Sequence, residues 1–227
     1  MKKQVVIVDY GMGNVFSVSR ALEFCGAEAV LSADAAVIEA AQYLILPGVG
    51  AFPDGMQELS GRGLVEPLRR YARSGKPFLG ICLGMQMFFQ STEEFGFHEG
   101  LGILPGMVKQ IPDRKADGSL RRIPHIGWNR LLYGAAKDGA IANALGDNFW
   151  GYFVHSFAAE TAKPEHRLAY CDYDGFEVTA VVGSENILGC QFHPEKSGLA
   201  GLKLLARFLG EETTANPAFQ TELAARK

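Results

Sequence analysis

One cysteine lies in a sequence context that favours nucleophilic chemistry. The sequence GICLGMQ at residues 80–86 follows a short apolar stretch and opens a run at 85–89 that is typical of a helix. A strand, a glycine-flanked nucleophile and a helix in that order form a nucleophile elbow, with cysteine in the place of serine. The helix dipole and the free amides at a helix N-terminus favour the thiolate form of Cys82. Free cysteines are more often buried packing residues, but the elbow predicts a reactive one.

A candidate base and an acid to orient it lie far downstream, in the sequence GCQFHPE at residues 189–195. In an extended segment, residues two apart point to the same side, so His193 and Glu195 share a face. Together with Cys82 they fit the nucleophile, base and orienting acid of thiol catalysis. His155 competes for the role of base, but it has no carboxylate near it in sequence and is better explained as a structural residue.

The order of these residues along the chain is nucleophile, histidine, acid. An α/β-hydrolase has the order nucleophile, acid, histidine, so this elbow belongs to another fold. The sequences FLGICLGMQ at 78–86 and HPE at 193–195 resemble class I, triad-type glutamine amidotransferases. The resemblance implies that glutamine is hydrolysed through a γ-glutamyl thioester and that the ammonia passes to a synthase. It implies neither a cofactor nor a metal.

Further motifs narrow the resemblance to one subgroup of that family. The sequences DYGMGN at 9–14, PGVGAF at 47–52, PHIGWN at 124–129 and HPEKS at 193–197 are similar to the glutaminase subunit of imidazole glycerol phosphate synthase. The match extends over most of residues 5–209. It implies a heterodimer with a (βα)8-barrel cyclase, which forms imidazole glycerol phosphate and aminoimidazole carboxamide ribonucleotide in histidine biosynthesis. Ammonia becomes ammonium in neutral water, so such an enzyme must deliver it to its partner through a dry passage.

The chemistry also requires donors for the oxyanion of the tetrahedral intermediate, each worth roughly 100- to 1000-fold in rate. The N–H of Leu83, at the start of the predicted helix, is one candidate. The second is expected from the glycine turn at Val49 and Gly50, where small residues permit a change of peptide orientation. In the subgroup that the chain resembles, this peptide is unproductive until the partner responds.

The resemblance assigns roles to two further sets of residues. Gln86 would hold the amino-acid end of glutamine. Glu94, Ser156 and Phe157 match substrate-contacting positions, the last two through backbone groups. The residues that match the partner interface are Tyr10, Asn14, Trp128 and Lys196.

The first half of the chain alternates between strands and helices. Strands are predicted at 4–9 and 43–46, and helices follow them, one ending near Gly26 and one beginning after Gly63. This alternation favours a parallel sheet with helices on both faces.

The second half changes character after about residue 100. Strand-like runs lie at 107–111, 130–133, 150–155 and 179–182, and a helix is predicted at 199–209. The sequence thus predicts an α/β fold with a central, mostly parallel mixed sheet, helices on both faces, the elbow, and additional antiparallel strands in the second half. We expect one domain over residues 1–210 and a peripheral tail at 211–227.

Composition excludes several classes of function. The chain has 227 residues, 48% of them hydrophobic, and a formal net charge of −3, so nucleic acid and membrane surfaces are not expected partners. No signal pattern is visible, so we expect a cytoplasmic protein with four reduced cysteines. The pair Cys190 and His193 is only half a zinc site. The sequence GMGNVF at 11–16 has Phe16 where a dinucleotide-binding motif needs its third glycine.

Three alternatives remain open from the sequence. One is a glutaminase subunit that serves another synthase, such as the formation of anthranilate or carbamoyl phosphate. Another is a free-standing cysteine hydrolase for γ-glutamyl or peptide substrates. A binding module without catalysis fits least, since it would not need the three triad residues together. Glutamine turnover that rises with a partner separates these alternatives.

Overall fold

The computed structural model describes residues 2–136 and 139–210, so the predicted tail at 211–227 lies outside the described residues. In chain order the strands are β1 (Gln4–Val8), β2 (Glu28–Ser32), β3 (Tyr43–Leu46), β4 (Phe78–Ile81), β5 (Phe89–Thr92), β6 (His98–Glu99), β7 (Leu104–Gln110), β8 (His125–Arg130), β9 (Trp150–His155), β10 (Phe157–Thr161), β11 (Arg167–Tyr173), β12 (Phe176–Ser184) and β13 (Ile187–Cys190). The helices are α1 (Val15–Phe24), α2 (Ala35–Ala40), α3 (Phe52–Gly61), α4 (Val65–Arg73), α5 (Leu83–Gln86), α6 (Ala140–Leu145) and α7 (Gly198–Phe208).

A seven-stranded mixed sheet forms the centre of the molecule, in the order β11-β12-β13-β4-β3-β1-β2. The five strands from β13 to β2 pair in parallel, whereas β12 is antiparallel to both of its neighbours. The predicted central sheet, mostly parallel with antiparallel strands from the second half of the chain, is confirmed. Strands β4 and β13 are adjacent, and this pairing brings the two sequence motifs of the predicted triad together.

Alternating side chains of the central strands build two cores, one on each face of the sheet. On β1, Val5 and Ile7 belong to the core that includes α1, α6 and α7. Val6 and Val8 of the same strand belong to the core that includes α2, α3 and α4. Strands covered on both faces read as continuous apolar runs, which is the pattern of the sequence at β1. The prediction of helices on both faces is confirmed.

Two smaller sheets flank the central one. One has four strands in the order β10-β7-β5-β6, and the other is the antiparallel pair β8–β9. In the latter, His125 lies opposite His155 and Trp128 opposite Tyr152. Strand β9 supplies Val154 and His155 to the lining of the cavity that contains Cys82.

Two expected elements differ from the observed ones. The helix expected over 85–89 ends at Gln86, and Phe89 already begins β5. Residues 83–89 are all buried, so no polar face marks where the helix ends. The strand expected over 130–133 is instead β8, at 125–130, where Gly127 with φ 144° weakens the strand signal.

Candidate active site

Cys82 lies in a sharp turn between β4 and α5, with φ 53° and ψ −110°. A residue other than glycine rarely adopts a positive φ, and such strain persists only where the surroundings enforce it. A Cβ on Gly84 would lie 1.8 Å from the carbonyl oxygen of Leu46, and one on Gly80 would lie 2.8 Å from backbone atoms of Met85. Both flanking glycines are therefore required by close backbone packing, as the elbow pattern predicts.

The predicted base and acid are in direct contact. His193 Nδ1 lies 2.8 Å from Glu195 Oε1, and both side chains are almost completely buried. His193 also lines the same cavity as Cys82 and interacts with its side chain. Its backbone is fixed by the bond from His193 N–H to the carbonyl of Tyr152, at 2.9 Å. The structure therefore brings the three residues of the predicted triad together.

The surroundings of His193 favour its protonated form. Burial by itself lowers the pKa of His193, but hydrogen bonds and charge interactions with Cys82 and Glu195 outweigh burial and raise the pKa to about 10. An imidazolium beside Cys82 is the arrangement in which a cysteine sulfur acts as a nucleophile. The site is thus electrostatically prepared for attack by sulfur.

A cavity of about 300 Å³ opens beside the nucleophile. Its lining brings together Cys82, His193 and all the residues predicted for the oxyanion and the substrate, namely Val49, Gly50, Leu83, Gln86, Glu94, Ser156 and Phe157. The volume is at the lower end of the range for small-molecule sites. Glu195 lies behind His193 and is not part of the lining.

The predicted substrate residues are held by the protein's own hydrogen bonds. Gln86 Nε2 donates to the Phe157 carbonyl at 2.9 Å. Glu94 Oε2 accepts from the N–H of Phe52 at 2.8 Å, and burial raises the pKa of Glu94 against the lowering effect of that bond. The Ser156 carbonyl accepts from the N–H of Ile111. These contacts fix the cavity wall before any ligand binds.

The two predicted sources of oxyanion donors differ in their orientation. The N–H of Leu83 lies in the first turn of α5, where amides have no acceptor within the helix. The N–H of Val49 instead donates to the carbonyl of Met12 at 3.2 Å, and Gly50 has φ 99°. The Val49 amide is therefore committed to the loop at 10–14 rather than to the cavity.

The four residues predicted for a partner interface have different environments. Trp128 is 51% exposed and Lys196 is exposed, as contact residues must be. Asn14 caps α1 by accepting from the N–H of Ser17. The side chain of Tyr10 is 1% exposed and its hydroxyl donates to the Pro47 carbonyl at 2.8 Å, so the predicted partner contact of Tyr10 stays a prediction for its backbone. An aromatic residue in a turn gave no sign of this internal role.

Sequence reasoning missed Gln191, which is completely buried beside the nucleophile. Its Nε2 lies 3.7 Å from Cys82 Sγ, and its Oε1 accepts from Gln86 Nε2 at 3.0 Å. The signal was available, since Gln191 precedes His193 by two residues and an extended segment puts both on one face.

A histidine pair supports the same wall of the cavity. His155 contacts the Phe157 carbonyl through Nδ1 at 2.7 Å and His125 through Nε2 at 3.0 Å. Burial, followed by the neighbouring His125, lowers the pKa of His155 to about 3. His155 is thus neutral and lacks a carboxylate partner, so its assignment as a structural residue rather than the base is supported.

Within residues 2–136 and 139–210, no three His, Cys, Asp or Glu side chains are grouped so that they could hold a metal ion. The helices in that part of the chain are all too short or too polar to cross a membrane.

The fold is that of a glutamine amidotransferase. A family model described as glutamine amidotransferase class-I matches residues 6–211. A solved structure described as a glutamine amidotransferase has a TM-score of 0.69 at 20% identity and covers 90% of this chain and 97% of its own. The structure of PurLQS from Thermotoga maritima also gives a TM-score of 0.69, at 22% identity. The match covers 92% of this chain and 99% of that chain. These two structures show the shared fold.

Protein relatives give a narrower assignment. The imidazole glycerol phosphate synthase subunit HisH 1 of Legionella pneumophila (strain Lens) is 49% identical over 208 residues, which are 90% of this chain and 98% of the relative. The HisH subunit of Symbiobacterium thermophilum is 47% identical, with 90% and 92% covered. The chain belongs to the class I glutamine amidotransferase family and, within it, to the HisH subunits of imidazole glycerol phosphate synthase.

Proposed function

We propose that this chain hydrolyses L-glutamine to glutamate and ammonia through a thioester on Cys82. The ammonia passes to a (βα)8-barrel cyclase subunit, which forms imidazole glycerol phosphate and aminoimidazole carboxamide ribonucleotide in histidine biosynthesis. The two chains act as a cytoplasmic heterodimer. The observation that carries the proposal is that Cys82, His193 and Glu195 are brought together beside a cavity of about 300 Å³.

The first half of the reaction forms the thioester. The Cys82 proton resides on His193, whose protonated form the site favours, and the sulfur attacks the amide carbon of glutamine. The oxygen of that carbon becomes an oxyanion near the N–H of Leu83. When the C–N bond breaks, His193 returns the proton to the leaving nitrogen, and ammonia departs.

The second half restores the enzyme. A water molecule attacks the thioester carbon while His193 accepts one of its protons. The C–S bond then breaks, glutamate leaves, and the released sulfur again lies beside protonated His193. Glu195 orients the imidazole throughout and stabilises its charged form.

Binding of the amino-acid end of glutamine is assigned to Gln86, Glu94, Ser156 and Phe157. Both hydrogens of Gln86 Nε2 are used by the carbonyls of Phe157 and Gln191, so the atom left to contact substrate is Gln86 Oε1. An acceptor of this kind suits the α-ammonium group. Glu94 adds a carboxylate on the same cavity wall and suits the same group.

An exposed apolar face beside the cavity supports the proposal that a protein partner binds there. On one side of the β8–β9 pair, Ile126 lies opposite Val154 and Trp128 lies opposite Tyr152. Ile126 and Trp128 are each about half exposed. Neighbouring exposed apolar side chains of this kind mark interaction sites, and Val154 is also part of the cavity lining. A partner on this face would cover the route by which ammonia leaves.

The test is a glutaminase assay of the purified chain, alone and with the cyclase bound to its nucleotide ligand. We expect slow turnover alone, a large rise in kcat in the complex, and a smaller change in KM. Cys82→Ala is the matched control for contaminating activity. Light scattering should give one copy of each chain in the complex. Equal turnover with and without the cyclase, or stimulation only by another synthase, would contradict the proposal.

A further inference from the structure

The side chain of Gln191 lies between Cys82 and Gln86, and it forms a hydrogen bond with each of them. It is 0% exposed and lies with Nε2 at 3.7 Å from Cys82 Sγ. At its other end, Oε1 accepts from Gln86 Nε2 at 3.0 Å. A buried amide in contact with a reacting sulfur has either its donor or its acceptor end toward it, and the two have opposite effects on a thiolate.

The hydrogen-bond chain decides which end faces the sulfur. The Phe157 carbonyl can only accept, so the group of Gln86 that lies 2.9 Å from it must be the N–H₂ end. The second hydrogen of Gln86 Nε2 then requires an acceptor from Gln191, which is Oε1. Rotating the Gln191 amide by 180° would put two donors against each other and a carbonyl oxygen against the sulfur. The donor end of Gln191 therefore faces Cys82.

We propose that Gln191 is a further catalytic residue, which donates a hydrogen bond to the Cys82 sulfur and stabilises it as the thiolate. The proton released by Cys82 goes to His193, since a neutral amide cannot accept it. Hydrogen bonds to charged acceptors are stronger than those to neutral ones, so the contact favours the charged sulfur. The inference rests on the proposed function only for its consequence in glutamine turnover.

The same chain of bonds gives Gln191 a second effect. Because Gln86 is held between Gln191 and the Phe157 carbonyl, the position of the sulfur is tied to the wall where glutamine binds. Loss of the amide at residue 191 therefore frees one hydrogen of Gln86 Nε2 as well as the sulfur. We expect a decrease in kcat together with an increase in KM for glutamine in the complex.

The decisive measurement is alkylation of Cys82 by iodoacetamide, which needs neither glutamine nor a partner. Gln191→Met and Gln191→Leu replace the amide by an apolar side chain of similar length or volume, so the hydrogen-bond donor is removed. Thr179→Val is the matched control, since Thr179 is also buried but lines a different cavity. Rates are measured from pH 5 to pH 10 on the Cys82 peptide by mass spectrometry.

We expect the rate at pH 7 to fall about tenfold in the Gln191 variants, the scale of one hydrogen bond to a charged group. The increase of the alkylation rate with pH should occur at higher pH in these variants than in the wild type. The constant rate reached at high pH should be the same. Thr179→Val should follow the wild-type profile. An unchanged profile in whichever Gln191 variant keeps the wild-type unfolding temperature overturns the proposal. A slowed profile in a chain that never hydrolyses glutamine would instead reject the proposed function alone.

Discussion

The two sides of the cavity differ in how far they are prepared for the reaction. On the nucleophile side, Cys82 is 6% exposed, is held in a strained turn, and contacts a histidine whose acid partner is already in place. On the other side, Val49 is 40% exposed and its N–H is bound to the Met12 carbonyl. The sulfur side is preorganised, whereas the Val49 N–H is directed to the loop at 10–14 rather than into the cavity.

This difference indicates where control of the reaction lies. A buried, closely packed elbow has one arrangement, because its neighbours leave no room for another. A glycine turn with an exposed side chain and one backbone hydrogen bond can adopt two arrangements at small cost. The loop at 10–14, which supplies the Met12 carbonyl, also belongs to the predicted interface. We therefore expect a partner that binds this loop to reorient the Val49 N–H without moving Cys82.

The largest effect is expected from removing the nucleophile. Cys82→Ala should lower glutaminase activity of the complex by roughly 10⁵- to 10⁶-fold, and His193→Ala should cost nearly as much, because triad members act as a unit. A glutamine-like diazoketone should label Cys82 alone. Peptide mapping that places the adduct on Cys25, Cys171 or Cys190 would sink the assignment.

Glu195→Gln should cost one to two orders of magnitude less than loss of the nucleophile, as expected for an orienting acid. The pKa of His193 is raised from 6.5 to about 10 in the folded protein. Its contribution to stability is therefore complete below pH 6.5 and is lost as the pH rises to about 10. Between pH 6.5 and about pH 10, the unfolding temperature of Glu195→Gln should therefore decrease less than that of the wild type. If the unfolding temperatures of the wild type and of Glu195→Gln change in parallel from pH 6 to pH 10, Glu195 does not stabilise the protonated form of His193.

Gly50→Pro tests the role of the glycine turn at Val49 and Gly50. Proline requires φ near −65°, and Gly50 has φ 99°, so the turn is forced out of its observed arrangement and loses one N–H. We expect stimulation by the cyclase to fall by roughly 100- to 1000-fold, the effect of one oxyanion donor. Titration should give an unchanged affinity for the cyclase. Full stimulation in this variant would place the donor elsewhere.

A glycine pair compares the packing of the elbow with that of an open surface. Gly84→Ala puts a methyl group 1.8 Å from a backbone oxygen, so we expect the free energy of unfolding to decrease by about 3 kcal/mol. Gly61 lies at the end of α3 with nothing within 4 Å of its added Cβ. Gly61→Ala should be neutral or stabilise by about 0.5 kcal/mol. Chemical denaturation measures both, and equal changes would mean that the elbow is less tightly packed than described.

Much of the fold was predictable because its elements have strong local signals. The continuous apolar runs of β1, β3 and β4 and the glycines of the elbow were sufficient to place the nucleophile. β2 was missed because it is mostly half-buried or exposed, and α3 because its ten residues include one proline, two glycines and a serine. Such segments are fixed by packing rather than by propensity.

The candidate site was predicted in its residue types and less well in its orientations. The side-by-side placement of His193 and Glu195 follows from spacing alone. The burial of Tyr10 and the direction of the Val49 N–H depend on contacts with the Pro47 carbonyl and the Met12 carbonyl. Backbone contacts between distant segments leave no trace in residue types, so a sequence cannot report them.

The Val49–Met12 hydrogen bond has a quantitative consequence. A single neutral hydrogen bond contributes about 1 kcal/mol net, which corresponds to roughly a fivefold bias between two arrangements. With a bias of this size, the Val49–Met12 hydrogen bond is broken in about one molecule in six at equilibrium. Breaking it in all molecules therefore raises the rate of glutamine turnover by less than tenfold. Stimulation well beyond that factor would require the cyclase also to hold the freed amide on the oxyanion. The size of the stimulation therefore separates a partner that only unlocks the turn from one that aligns it.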